Sequence, residues 1–126
     1  MTRVLIVDDQ PSFRYHLRKL LSHAGLEVAG EAGDISMALK LVGDLQPELA
    51  IVDVMLPGES GVEGTVRLKA LAGNLRVILV SAHHDNAQLL RKVAEEVGAE
   101  AFIPKDELDL EVVSMWAKDE PKPDFK

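Results

Sequence analysis

Three short apolar runs of one shape recur along the chain: RVLIVD at Arg3–Asp8, ELAIVD at Glu48–Asp53 and RVILVS at Arg76–Ser81. Each is rich in β-branched residues, continuous rather than alternating, and closed by a polar residue. Continuous runs of this length predict strands covered on both faces, as in a parallel sheet. Leu26–Ala32 and Glu100–Ile103 predict two weaker strands. Between the strands the apolar positions change to a helical period. Phe13, Leu17, Leu20, Leu21 and Ala24 form one stripe, with Pro11 suited to the first turn and Gly25 to the stop. Ile35, Ala38, Leu39, Val42 and Leu45 form a second, behind Asp34 as N-cap. Ser60 and Glu63 have capping-box spacing ahead of a third helix that ends near Gly73. Asp85 is expected to cap a fourth, with Leu90, Val93, Ala94 and Val97 inward and Gly98 beyond. A fifth is expected near Asp106–Ala117, with Leu108, Val112, Met115 and Trp116 on one side. Strand then helix, five times over, predicts an α/β fold: a doubly wound (βα)5 unit with a five-stranded parallel sheet and helices on both faces. Residues 118–126 carry two prolines and mixed charge and read as a flexible C-terminal tail or linker, leaving 1–117 as one domain.

Composition narrows the chemistry. At 126 residues the chain fits one domain, and 47 % hydrophobic with 28 % charged residues argues against global disorder. The 21 acidic against 14 basic residues give a net charge of -7, which argues against direct nucleic-acid binding and against an anionic membrane. The absence of cysteine excludes disulfides, thiolate metal sites and a thiol nucleophile. The longest purely apolar runs have four residues, far short of the roughly 20 that span a bilayer. The N-terminus has one Arg before a strand-like run cut short by two Asp, unlike a signal peptide. The expectation is a soluble cytoplasmic domain.

The polar residues that close the strands carry the chemistry. Asp8 and Asp9 follow the first strand, Asp53 ends the third, Ser81 ends the fourth, and Lys105 follows the fifth after Pro104. In an open parallel sheet these ends lie on one edge, where ligands bind. Three carboxylates there repel one another and call for a proton, a cation or both. An oxygen-only set suits Mg²⁺. Lys105 adds a positive charge and Ser81 a hydroxyl donor. Together these are the parts needed to hold a transferring phosphoryl group, with Asp53 as a candidate nucleophile.

VDDQ at Val7–Gln10, IVDVMLPGESG at Ile51–Gly61, VSA at Val80–Ala82 and Phe102 three residues before Lys105 resemble the receiver domain of two-component response regulators. The resemblance runs from about Thr2 to Ala117. It implies the flavodoxin-like strand order 2-1-3-4-5 and a signalling switch. In that switch Asp53 accepts a phosphoryl group from a histidine kinase or phosphotransfer protein. It implies that Asp9 binds Mg²⁺ directly and Asp8 mainly through water, with Asp53 and the Met55 carbonyl as further ligands. It implies that Lys105 pairs with the phosphoryl group and that Ser81 and Phe102 report it. A homodimer through the face of the fourth helix, fifth strand and fifth helix would fit, and the output would lie in trans or in a C-terminal DNA-binding domain. Such a protein is no enzyme beyond self-phosphorylation and slow self-dephosphorylation. Many receivers have a cis Lys–Pro bond, but here Asp106 follows Lys105, and a cis bond before a non-proline costs about 2.5–4 kcal/mol, so a trans bond is expected. The Lys-Asp form is similar to receivers of LuxR-type regulators.

Other readings compete. The same Asp, Lys, hydroxyl and Mg²⁺ serve haloacid-dehalogenase-type phosphohydrolases, but that class needs a second Asp two residues after the nucleophile, where this chain has Met55. A flavodoxin-like FMN carrier needs a hydroxyl-rich phosphate loop after the first strand, where this chain has Asp8-Asp9-Gln10-Pro11. A phosphorylation-independent receiver-like binding module is the remaining alternative. Taken singly, Asp8 and Asp9 could merely cap a helix, Lys105 could be a surface lysine and Phe102 a core aromatic. Gly58 and Gly61 read as turn residues and Gly64 as a site of close packing, since G-x-x-G-x-x-G is not a nucleotide loop. His83 and His84 are adjacent and poorly placed to share a metal, though the resemblance puts His83, like Met55, beside the site. His16 and His23 read as solvated.

Overall fold

The computed structural model describes residues 1–82 and 85–117. The His83–His84 pair and the tail expected at 118–126 lie outside the described residues. Five parallel strands form one sheet: β1 (Arg3–Val7), β2 (Glu27–Ala32), β3 (Leu49–Asp53), β4 (Arg76–Ser81) and β5 (Ala101–Pro104), in the order β2-β1-β3-β4-β5. The intervening helices are α1 (Pro11–His23), α2 (Ile35–Leu45), α3 (Gly61–Leu71) and α4 (Ala87–Glu96). A 3₁₀ turn at Lys105–Glu107 then leads to α5 (Leu110–Ser114). This is the flavodoxin-like (βα)5 arrangement that the alternation and the resemblance anticipated.

Successive strand residues point to opposite faces, so each continuous run feeds two cores. Leu5, Val7, Ala50, Val52, Val77 and Leu79 pack with Ile35, Ala38 and Val42 of α2, Leu68 of α3 and Ala94 of α4. Val4, Ile6, Leu49, Ile51, Ile78 and Val80 pack with Leu17 and Leu21 of α1 and Val113 and Trp116. The edge strand β2 (EVAGEA) is apolar on neither face throughout, and its pairing with β1 slips by one residue between Val4 and Leu5.

Helix ends follow local chemistry. Asp34 Oδ1 accepts the Met37 N–H, and Ser60 Oγ accepts the Glu63 N–H, both as expected from the caps. Gly25 and Gly98 stand at positive φ just beyond α1 and α4. Two boundaries differ from expectation. α4 has Asn86, not Asp85, at its N-cap, and no side chain caps it. The fifth helix is shorter than 106–117, because Asp109 Oδ1 caps Val112 and so starts the helix later. Leu108 and Trp116 are buried outside it, Val113 is its core residue, and Met115, expected inward, is 66 % exposed.

Candidate functional site

Right-handed strand–helix alternation brings the C-terminal ends of β1, β3, β4 and β5 to one edge. The register pairs Val7 with Val52, Asp53 with Val80, and Ser81 with Pro104. Asp8, Asp53, Ser81 and Lys105 therefore leave their strands side by side, and the structure brings together the expected set. Asp8, Asp53 and Ser81 are buried, while Asp9 is exposed. Carboxylate oxygens of Asp8, Asp9 and Asp53 all lie within 4.8 Å of one another.

Each buried acid divides its two oxygens between backbone and Lys105. Asp8 Oδ1 accepts the Gln10 N–H at 2.8 Å and Asp53 Oδ1 the Met55 N–H at 3.1 Å. The Lys105 ammonium lies 2.7 Å from Asp8 Oδ2 and 3.2 Å from Asp53 Oδ2. Asp8 Oδ2 is a fully buried atom with that ion pair but no hydrogen bond of good geometry. One lysine thus faces a cluster of three acids. Asp8 does not cap α1: its Oδ1 takes the N–H of Gln10, the residue at the N-cap, and no side chain caps the helix.

The Asp53 pKa is pushed up from 3.8 to about 6. Burial is the main cause, and the neighbouring Asp8 charge adds to it. The Met55 N–H and the Lys105 ammonium pull the other way. A carboxylate raised this far, at a ligand-binding edge, is the pattern of a functional group. The donor set fits a hard divalent cation: three carboxylates, one of them exposed, and a buried oxygen short of hydrogen bonds.

The backbone behind Asp53 is held by Gly61. Its N–H donates to the Val54 carbonyl at 2.8 Å, and a Cβ there would lie 2.0 Å from the Asp53 carbonyl oxygen. Gly61 is thus a close-approach residue at the start of α3 rather than the turn residue expected. Gly58, at φ +86°, is the turn residue, and Gly64 is close-packed against Ile35 as expected. Phe102 is buried in the core on the face of the sheet that α4 covers. The Met55 side chain and His16 are exposed.

Two contributors escaped the sequence reading. Arg14 donates to the Asp8 carbonyl at 2.6 Å and pairs with Glu31 of β2, which also pairs with Arg18. Phe13, read as one residue of an apolar stripe, lies with its ring centroid 4.1 Å from the Lys105 ammonium. No motif marks Arg14. Phe13 is marked only by standing in the first turn of the helix that the acidic pair precedes.

The comparisons agree with this geometry. The family described as "Response regulator receiver domain" matches residues 4–116. NarL of Mycobacterium tuberculosis is 34 % identical over 112 residues, 88 % of this chain and 51 % of that protein. The chain therefore spans about half the length of that relative. The chemotaxis protein CheY of Thermotoga maritima is 32 % identical over 103 residues, 82 % of this chain and 84 % of that protein. The solved receiver domain of M. tuberculosis NarL superposes with a TM-score of 0.81 at 34 % identity, covering 91 % of this chain and 92 % of that one. CheY in the CheX–CheY–BeF3–Mg complex of Borrelia burgdorferi superposes with a TM-score of 0.81 at 26 % identity, covering 93 % and 90 %. With strand order, acidic edge and matched sequence in agreement, this chain belongs to the response regulator receiver domain family, the phosphorylation-dependent switches of two-component signalling.

Proposed function

We propose that Asp53 is the phosphoacceptor of this switch. The observation that carries the reading is the shared Lys105 ammonium, bridging Asp8 and Asp53 in a pocket with more buried acid than base. A phosphorylated histidine of a kinase or phosphotransfer protein is the donor. An Asp53 carboxylate oxygen attacks phosphorus, the P–N bond breaks, and its electron pair leaves with the imidazole. With a pKa near 6, Asp53 is largely ionised at neutral pH and able to attack. Asp9, Asp8, Asp53 and the Met55 carbonyl would hold Mg²⁺, which when bound neutralises charge on the phosphoryl oxygens. Support comes from the acidic donor set and from the Borrelia relative, whose complex contains Mg²⁺ and BeF3. Lys105 follows the new negative charge, and the Ser81 hydroxyl, at the adjacent strand end, donates to it.

Residues 1–117 form the receiver unit and 118–126 a tail or linker. Ser81 and Phe102 are the reporters. The Phe102 ring is buried in this structure, and the two-state element is that inward ring and an outward alternative. Their readout is the face of α4, β5 and α5, where a second copy or an output partner docks. Similarity to NarL supports a DNA-binding output domain elsewhere in the whole protein, with this chain itself making no nucleic-acid contact. The setting is cytoplasmic. Among the described residues no helix is long and apolar enough to cross a membrane. The chain catalyses nothing beyond its own phosphorylation and dephosphorylation. A phosphohydrolase reading lacks its second acid at Met55, whose side chain is exposed.

The test compares NMR spectra with and without beryllofluoride and Mg²⁺ in wild type, Asp53→Asn and Ser81→Ala. Wild type should shift both around Asp53 and across α4 and β5. Ser81→Ala should shift only around Asp53, and Asp53→Asn nowhere. Wild-type shifts confined to the pocket would contradict the switch.

A further inference from the structure

We propose that Phe13 is a positioning residue for Lys105, its ring the third wall of an ammonium cradle whose other walls are Asp8 and Asp53. The ammonium lies 2.7 Å from Asp8 Oδ2, 3.2 Å from Asp53 Oδ2 and 4.1 Å from the Phe13 ring centroid, and the Lys105 side chain is only 11 % exposed. Asp53 Oδ2 accepts one of its N–H groups, and Asp8 Oδ2 pairs with its charge. The ring offers the negative face of its quadrupole without a competing hydrogen-bond acceptor. It also takes the place of water beside a group that water would solvate strongly.

The ring is itself anchored. Pro11 opens α1, the Phe13 N–H donates to the Gln10 carbonyl at 3.1 Å, and Phe13 packs against the core shared by α1 and α5. Lysine has a flexible four-carbon stem and loses much rotamer freedom when held in one place. Here three elements hold it: the ends of β1 and β3 through their acids, and the first turn of α1 through the ring. If Asp8 turned away toward another cation, Phe13 and Asp53 would still bracket the ammonium. Lys105 would then stand ready for charge arriving on Asp53, with little reorganisation left to do when the phosphoryl group transfers. The kinetic part of this proposal rests on Asp53 as the phosphoacceptor; the placement of Lys105 does not.

The experiment compares wild type with Phe13→Leu, which keeps apolar bulk but removes the ring, and Phe13→Tyr, which restores the ring. In protein given no phosphoryl donor, the Lys105 ε-methylene protons should show an upfield ring-current shift in wild type and Phe13→Tyr that disappears in Phe13→Leu. With acetyl phosphate and Mg²⁺, Phe13→Leu should phosphorylate about tenfold more slowly, and Phe13→Tyr within about twofold of wild type. A wild-type rate in Phe13→Leu, or an equal loss in Phe13→Leu and Phe13→Tyr, would overturn the proposal, the second by showing a packing role alone. Absence of the ring-current shift in wild type would overturn it too. A wild type that takes no label contradicts the Asp53 reading instead, and the ring-current comparison then decides the placement of Lys105 by itself.

Discussion

Charged side chains gather at both edges of the sheet, and the two gatherings differ in kind. At the edge where the strands begin, charges are partly exposed and each has a hydrogen-bond partner. Arg76 makes two bonds to the Glu100 carboxylate and one to the Trp116 carbonyl; Arg3 donates to the Leu45 and Gln46 carbonyls, and Glu48 accepts the Arg3 N–H. Each arginine ties a loop to a strand, and little is left over. At the edge where the strands end, two buried acids and one exposed acid meet a single lysine. Partly solvated charge bonded to backbone or to one partner serves the architecture, whereas buried and mismatched charge is tension that a ligand can relieve. The distinction lies in burial and in the balance of acid and base.

The largest effect should come from breaking the acidic edge from behind. Gly61→Ala puts a Cβ 2.0 Å from the Asp53 carbonyl oxygen, a backbone atom with nowhere to go. The cost should be about 3 kcal/mol, read by urea unfolding, with loss of phosphorylation in whatever remains folded. Relieving the tension comes next. Mg²⁺ at a hundredfold its Kd should stabilise wild type by about 2.7 kcal/mol, seen as a clear rise in Tm over an EDTA control. Asp9→Asn should abolish that rise while lifting the Tm of the metal-free protein. Equal melting with Mg²⁺ and EDTA in wild type would remove the contrast between the edges.

The fold was legible wherever local pattern and tertiary burial agree. Continuous runs such as Val4–Val7 and Val77–Val80 are buried on both faces and could hardly be anything else. β2, with Gly30 and two glutamates in its six residues, gives a weaker signal. The fifth helix was overdrawn because Leu108 and Trp116 share a helical spacing that their burial does not need. One precedes the helix and the other follows it, and both reach the same core. The site was legible as residue types at strand ends, because topology alone brings those ends together. Arg14 on the Asp8 carbonyl, Phe13 over Lys105 and Gly61 against Asp53 were not legible. Each depends on where a helix begins relative to a strand end, to within an ångström, and spacing along the chain does not encode that.

A smaller effect tests the opposite edge. Arg76→Ala should cost about 1–2 kcal/mol, because it frees a part-buried carbonyl and an acid together. Its phosphorylation rate should match wild type, and a large fall would mean that the edges are coupled. A further effect is in pH. A carboxyl whose native pKa is raised from 3.8 to about 6 holds a proton in the folded state that the unfolded state has already lost. In metal-free protein, stability should therefore fall as pH rises from about 4 to about 6 and then level off. Urea midpoints across that range in wild type and Asp53→Asn should show this contribution lost in the variant; a contribution of opposite sign would contradict the burial of Asp53.

The central claim concerns one carboxylate. Phosphorylation with acetyl phosphate and Mg²⁺, followed by reductive trapping of the acyl phosphate and peptide mass spectrometry, reads it directly. The account predicts a single modified residue, Asp53, and no labelling in Asp53→Asn. Label mapped to Asp8, Asp9 or any other residue, or retained in Asp53→Asn, would contradict it.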